Sequence, residues 1–296
     1  MLLAFDIGNT NIVIGLFQED TLASHWRITS DRQKTYDEYG LLLDQLFQSC
    51  GLKRSDVDDV IISSVVPNLT DVFRTMCERY FQTAPLVVGN GLKTGMSIRY
   101  DNPKEIGADR IVNAVAAIEQ YGAPLIILDF GTATTFCVVN DKKEYLGGAI
   151  APGIGISLNA LVEKTAQLPK VEMTVPDKVI GKTTVSAIQS GLLYGYCGLV
   201  DGMVHRIATE LGYAEQDITV VATGGLAEVI HAHSETIHQV DQMLTLKGLL
   251  TIYKRNEKLH RGFCVMKLLS GNRRKTCSKK LRKNSRCMVL RRAFVV

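Results

Sequence analysis

Two distant segments of this chain share one shape. The opening run MLLAF leads into Asp6-Ile7-Gly8-Asn9-Thr10-Asn11, and a second apolar run, PLIIL, leads into Asp129-Phe130-Gly131-Thr132-Ala133-Thr134. A further apolar stretch follows each (IVIGLF and TFCVV), so the pattern predicts two β-hairpins with Asp-x-Gly at the bend. Glycine lets the backbone approach a polyanion closely, and the surrounding N–H and hydroxyl groups can donate to phosphate oxygens. The aspartate would repel phosphate, so it must act through a cation or a water. One such turn is usually only structural. Two, each directly after a buried strand and about half a protein apart, point to phosphate binding.

The rest of the chain alternates strands with helices. LASHWRI reads as a third strand, DVIISSVVP as a buried one ending at Pro67, and PLVVG as a short one. Thr35 and Glu38 form a capping box before Tyr39, Leu42, Leu43, Leu46 and Phe47 at helical spacing. A helix is predicted from about Leu69 to Phe81. After a polar loop from Gly89 to Pro103, another begins near Gly107 with Ile111, Val112, Val115, Ile118 and Tyr121 on its apolar face. A long helix follows Thr184, ITVVATGG reads as a strand entering a glycine turn, and LTLKGLLTIYKRN is the last ordered segment, ending near Asn256. The class is α/β. With 296 residues and the hairpin repeated, we expect two duplicated lobes, 1–117 and 118–256.

The apolar fraction of 46% and charged fraction of 22% exclude a disordered or fibrous chain. No apolar run approaches the ~18 residues of a membrane span. The N-terminus lacks a basic region and a cleavage site, so no signal peptide is read and a cytoplasmic location is expected. The net charge of +4 conceals an uneven distribution. Residues 256–296 carry thirteen Lys/Arg and one acid, +12, and the remaining 255 carry 21 basic against 29 acidic side chains, −8. The abrupt change favours an unstructured basic tail over 257–296 above a nucleic-acid or membrane arm. Seven cysteines without a CxxC pair imply neither a disulfide framework nor a zinc site.

A third piece, Val221-Ala222-Thr223-Gly224-Gly225-Leu226-Ala227, is a strand ending in glycines that would let backbone lie flat on a nucleoside. The three segments together resemble the two phosphate motifs and the adenosine motif of the superfamily of sugar and acetate kinases, actin and heat-shock ATPases. That resemblance implies two actin-like, ribonuclease H-like lobes with a nucleotide cleft between them. Within it, DIGNTN, YDNPKEIGADR, LDFGTATTF, GGAIAPG, GKTTVSAIQSG and ATGGLA are similar, in order and spacing, to type III pantothenate kinase over residues 1 to about 256. The family implies ATP-dependent phosphorylation of pantothenate, the first step towards coenzyme A, by a homodimer that uses magnesium with ATP and a monovalent cation, potassium or ammonium.

By that resemblance Asp109 is the general base. Without the resemblance, an Asp here would read first as a carboxylate favoured by a helix N-terminus, and the same macrodipole would make it a weak base. Arg110 would hold the pantothenate carboxylate in a fork, or be a solvated charge. Tyr100, Gly107, Ala108 and Thr184 complete the substrate contacts, although Thr184 could simply cap its helix. Asp6 is expected at magnesium through water, and Asp129 at the monovalent cation. Ile7, Gly8, Asn9, Thr10, Asn11, Ile12 and Val13, with Asp6 and Thr132, would contact ATP. The other whole-protein reading is a nucleotide-binding regulator that touches nucleic acid through its tail; the intact GADR segment favours the enzyme. Gly181-Lys182-Thr183 is not a P-loop, because its first glycine would fall at Pro176. His231 and His233 are read as surface residues, and Trp26 as core or rim packing.

Overall fold

The computed structural model describes residues 1–89, 91–165 and 171–270. Two sheets organise them. The first contains β1 (Leu2–Ile7), β2 (Asn11–Gln18), β3 (Thr21–Thr29), β4 (Asp59–Ser64) and β5 (Leu86–Val87), in the order β3-β2-β1-β4-β5. The second contains β6 (Ser97–Ile98), β7 (Leu125–Phe130), β8 (Ala133–Val139), β9 (Glu144–Pro152), β10 (Thr219–Gly224) and β11 (Gln239–Val240), in the order β11-β10-β7-β8-β9-β6. In each, a three-strand antiparallel meander is extended by two parallel strands from its first member. The order β3-β2-β1-β4-β5 is therefore repeated as β9-β8-β7-β10-β11. This is the duplicated actin-like architecture, with β6 as an addition to the second copy.

The helices follow the same repeat: α1 (Tyr36–Ser49), α2 (Pro67–Met76) and α3 (Ala108–Tyr121), then α4 (Ile154–Glu163), α5 (Thr184–Leu211), α6 (Ala227–His231) and α7 (Leu244–Ser270). Helix α1 starts where predicted. The Glu38 N–H donates to Thr35 Oγ1 at 3.3 Å and the Thr35 N–H to Glu38 Oε2 at 2.7 Å. Helix α5 is capped one residue earlier than its spacing suggested. Thr183 is the N-cap, paired with Ser186, so Thr184 is the first helical residue. It ends at Gly212, whose φ of 70° suits a left-handed cap. A wide turn, Cys77–Phe81, carries α2 on to Phe81. Helix α7 runs past Asn256 to Ser270, so part of the segment expected to be tail is helical. The remainder, 271–296, lies outside the described residues.

Strand alternation decides what covers each sheet face. Leu3, Phe5, Ile7, Ile12 and Ile14 point to the side where Tyr39, Leu43, Phe47, Leu69 and Phe73 of α1 and α2 pack. Leu2, Ala4 and Ile61 point to the other, against Val112 and Val115 of α3 and Leu246, Leu249 and Ile252 of α7. On the second sheet, Ile126, Leu128 and Phe136 meet α5 and α6, while Leu125, Ile127, Cys137 and Val139 meet Ala114, Ala117 and Ile118 of α3. Helix α3 thus contributes to both cores and is buried from Val112 to Ile118. Two segments cross the boundary expected at residue 117. Ser97 and Ile98 pair with Glu144 and Tyr145 of the second sheet, and the start of α7 covers the first.

Candidate active site

The two bends are built alike. The Gly8 N–H donates to Asn11 O at 3.0 Å, and the Gly131 N–H to Ala133 O at 3.1 Å. The residues after β3 brace the first bend: Ser30 Oγ donates to Gly8 O at 2.6 Å, the Ser30 N–H to Thr10 O at 2.9 Å, and Arg32 Nη2 to Asn9 Oδ1 at 2.9 Å. The second is braced by the N-terminus of α4, where the Gly153 N–H donates to Thr132 O at 3.2 Å. The bends face one another. Thr10 Oγ1 and Thr132 Oγ1, 122 residues apart, share a hydrogen bond of 2.8 Å. Ile7 and Ile12 are fully buried in the core, so at those positions only the backbone can meet a ligand. The third motif abuts the second bend: a Cβ at Gly224 (φ 95°) would lie 2.6 Å from Phe130 O and 2.8 Å from Asp129 Oδ1.

Three aspartates converge here from β1, α3 and β7. Loss of water raises all three carboxyl pKa values, and repulsion from neighbouring carboxylates adds to it at Asp6 and Asp129. Burial pushes Asp6 up to about 7, with Asp109 and Asp129 contributing repulsion and Ser63 opposing by hydrogen bonding. Asp129 goes to about 6 through burial and then the Asp109 charge, opposed by an Asn113 Nδ2 hydrogen bond at 3.2 Å. Asp109 is also raised by burial, against the Arg110 N–H at 2.8 Å and the guanidinium. The weak base expected from the helix dipole is therefore corrected: desolvation outweighs the helix N-terminus. Gly107 is needed for contact, since a Cβ there would sit 2.4 Å from Asp109 Oδ1. Asn113 lies one turn beyond Asp109 on α3 and is held in turn by Thr245 Oγ1 at 2.7 Å.

A cluster of repelling, dehydrated carboxylates is suited to a cation. Among the described residues no three His, Cys, Asp or Glu side chains could hold an ion by themselves. The aspartate carboxylates are oxygen donors of the kind a divalent cation takes alongside water and phosphate oxygens.

Arg110 is not the solvated charge its sequence setting allowed. It is 8% exposed, and its Nε donates to Cys137 Sγ at 3.2 Å. Its guanidinium lies 5.9 Å from the centre of the buried Tyr145 ring, whose hydroxyl donates to the same sulfur at 3.6 Å. The Tyr100 ring is 6.4 Å from that of Tyr145 and rests against Gly147, where a Cβ would come within 3.2 Å of it. Among the described residues no carboxylate forms an ion pair with Arg110. Tyr100, Ala108, Asp109 and Arg110 thus share one region.

Thr184 does not join it. It lies at the exposed start of α5 and lines a cavity of about 630 Å³ with Leu161, Lys182 and Ile188. Helix α5 packs on the face of the second sheet opposite α3. His233 is exposed as read, whereas His231 is partly buried, with a buried Nδ1 that has no hydrogen-bond partner among the described residues. Trp26 packs on Phe47 at the edge of the first core, 5.8 Å between rings. Cys137, Tyr145 and Asn113 were not singled out from the sequence. Only Asn113, one helical turn from Asp109, left a pattern that could have been found.

The model of the type III pantothenate kinase family matches residues 2–206. A type III pantothenate kinase from Bacillus cytotoxicus is 54% identical over 256 residues, 86% of this chain and 97% of that protein. The chain belongs to the type III pantothenate kinases. Among solved structures, a Campylobacter jejuni protein described as a Baf family transcriptional activator aligns with a TM-score of 0.56 at 18% identity, over 86% of the kinase and 99% of that protein. A reductive activator for a corrinoid, iron–sulfur protein aligns at 0.51 and 11%, over 89% of the kinase and 62% of that chain. At such identities these two likenesses speak for the fold alone. No helix among the described residues of the kinase is long and apolar enough to cross a membrane.

Proposed function

We propose that this kinase, which phosphorylates pantothenate with ATP and a divalent metal ion in coenzyme A biosynthesis, transfers the phosphoryl group at the paired bends, with Asp109 receiving the alcohol proton. One observation carries this assignment: three aspartates from distant parts of the chain repel one another at bends whose threonines touch. When bound, magnesium near Asp6 and a monovalent cation, potassium or ammonium, near Asp129 supply the positive charge that offsets both carboxylates and phosphates. The segment Asp6 to Val13 and Thr132 offer backbone N–H and hydroxyl donors to the phosphate oxygens. Gly224 and Gly225 leave a flat surface for the nucleoside. Asp109, its pKa raised by burial, accepts the proton late in a loose transition state, where positioning and charge matter more than basicity. Arg110 holds the pantothenate carboxylate, and Tyr100, lying on Gly147, flanks its methyl-bearing chain.

A homodimer fits this reading. Along α5, Gly191, Gly195, Gly198 and Gly202 form one exposed stripe, with nothing within 4 Å of where their Cβ atoms would be. Beside its start, Ile180 is 82% exposed and Val179 63%. A second copy packed along this stripe would cover these side chains, and Thr184 would then serve the partner's site. A cytoplasmic setting, where ATP is supplied, suits the chemistry. The test is pantothenate-dependent ATP consumption by the full chain, with and without potassium or ammonium, comparing wild type with Asp109→Asn. Loss of turnover with ATP binding retained supports the assignment; sustained turnover by the variant would remove Asp109 as the base.

A further inference from the structure

We infer that Cys137 is a positioning residue for acceptor recognition, holding the Arg110 guanidinium so that its two terminal nitrogens form the only fork available to a carboxylate. The inference rests on the reading above that Arg110 meets the pantothenate carboxylate. An arginine can present either its Nε/Nη edge or its Nη/Nη end to a carboxylate. Here Nε is committed to Cys137 Sγ at 3.2 Å, and the same sulfur accepts from the Tyr145 hydroxyl at 3.6 Å. The thiol is 2% exposed, and burial raises its pKa, so the sulfur is a neutral acceptor. That neutrality matters. A carboxylate at this position would pair with Arg110 and compete with the substrate, whereas a neutral sulfur fixes the side chain without forming an ion pair with it. Arg110 is 8% exposed, and among the described residues it forms no ion pair, although its charge acts on Asp109. A buried guanidinium whose Nε is already committed keeps its Nη/Nη end for a carboxylate. The backbone supports the arrangement: Cys137 faces Gly148 across β8 and β9, at a φ of 152° that side chains rarely adopt.

The experiment compares two acceptors, pantothenate and its analogue with an alcohol in place of the carboxylate, and takes the ratio of their kcat/KM values. For Cys137→Ala we expect that acid-to-alcohol preference to fall about tenfold, as loss of one hydrogen bond to a charged donor would produce. The fall should come from a higher KM for pantothenate, with kcat and the KM for ATP within about twofold of wild type, a split that general loosening of the fold would not give. Cys137→Ser, which keeps an acceptor, should recover most of the preference. Arg110→Gln is measured alongside. If it lowers the preference and Cys137→Ala does not, the positioning role is overturned. If Arg110→Gln itself leaves the preference unchanged, the carboxylate is not on Arg110 and the substrate reading falls with the inference. Should Cys137→Ala fail to fold, Tyr145→Phe decides: we expect a loss of about two- to threefold in the same ratio, as for a weaker neutral hydrogen bond, and no loss overturns the proposal.

Discussion

Replacing Asp6 by asparagine should stabilise the metal-free kinase above neutral pH while destroying its function. The Asp6 carboxyl is pushed from its ordinary 3.8 up to about 7 in the folded chain. A raised carboxyl pKa means that the folded state binds a proton the unfolded state has released, so stability falls as pH rises from about 4 to 7. Above that window the folded protein carries the full cost of a dehydrated charge beside Asp109 and Asp129. A rise of about three pKa units is worth at most ~4 kcal/mol, at ~1.4 kcal/mol per unit. About two of those units fall between pH 5 and 8, or at most ~3 kcal/mol. Water and counter-ions entering the site reduce this, so we expect Asp6→Asn to exceed wild type by about 1–2 kcal/mol at pH 8. The assay is urea unfolding of the full chain in a chelator at low salt, at pH 5 and pH 8. Wild type should lose stability between the two, and the variant should lose less. Added magnesium and ATP should then reverse the order, because only wild type gains binding energy from them. Equal pH slopes for the two proteins, or a variant less stable at pH 8, would refute the argument that this carboxylate is held at a cost.

Other outcomes follow from the same geometry. Gly107→Ala should lower kcat more than tenfold while changing stability by only about 1 kcal/mol, since the added carbon would displace the Asp109 carboxylate; steady-state rates and melting curves read the two separately. Gly148→Ala should cost more than ~4 kcal/mol and prevent folding, because its Cβ would fall 1.6 Å from Phe136 O at a φ of 152°; soluble, cooperatively melting protein would contradict this. The pH–rate profile should rise as Asp109 loses its proton, with a midpoint above the ordinary 3.8 because burial raises that carboxyl, and Asp109→Asn should leave no activity to titrate. Gly195→Leu, on the exposed face of α5, should yield monomers by sedimentation if two copies pack along that stripe, and an unchanged molecular mass would argue for another surface.

Local chemistry alone announces much of this molecule. Alternating apolar residues and the Asp-x-Gly bends specify both hairpins, because strand period and turn chemistry are properties of a few adjacent residues. Thr35 and Glu38 start α1 for the same reason. The catalytic candidates Asp6, Asp109 and Asp129 are likewise written in short motifs. What no short motif contains is their mutual repulsion, which exists only once β1, α3 and β7 meet, nor the touch between Thr10 and Thr132. Strand β6 escapes reading because two residues have no period, and its partners on β9, Glu144 and Tyr145, lie 47 residues further along the chain. Arg110 shows the division best. In the sequence it is one charge beside an aspartate, free to be solvated or bound. Folding removes water from it and gives it a neutral sulfur from β8 instead of an anion, since the alternation of that strand turns Cys137 towards α3. Residue type set its charge; tertiary packing decided that the charge would be buried beside a neutral sulfur.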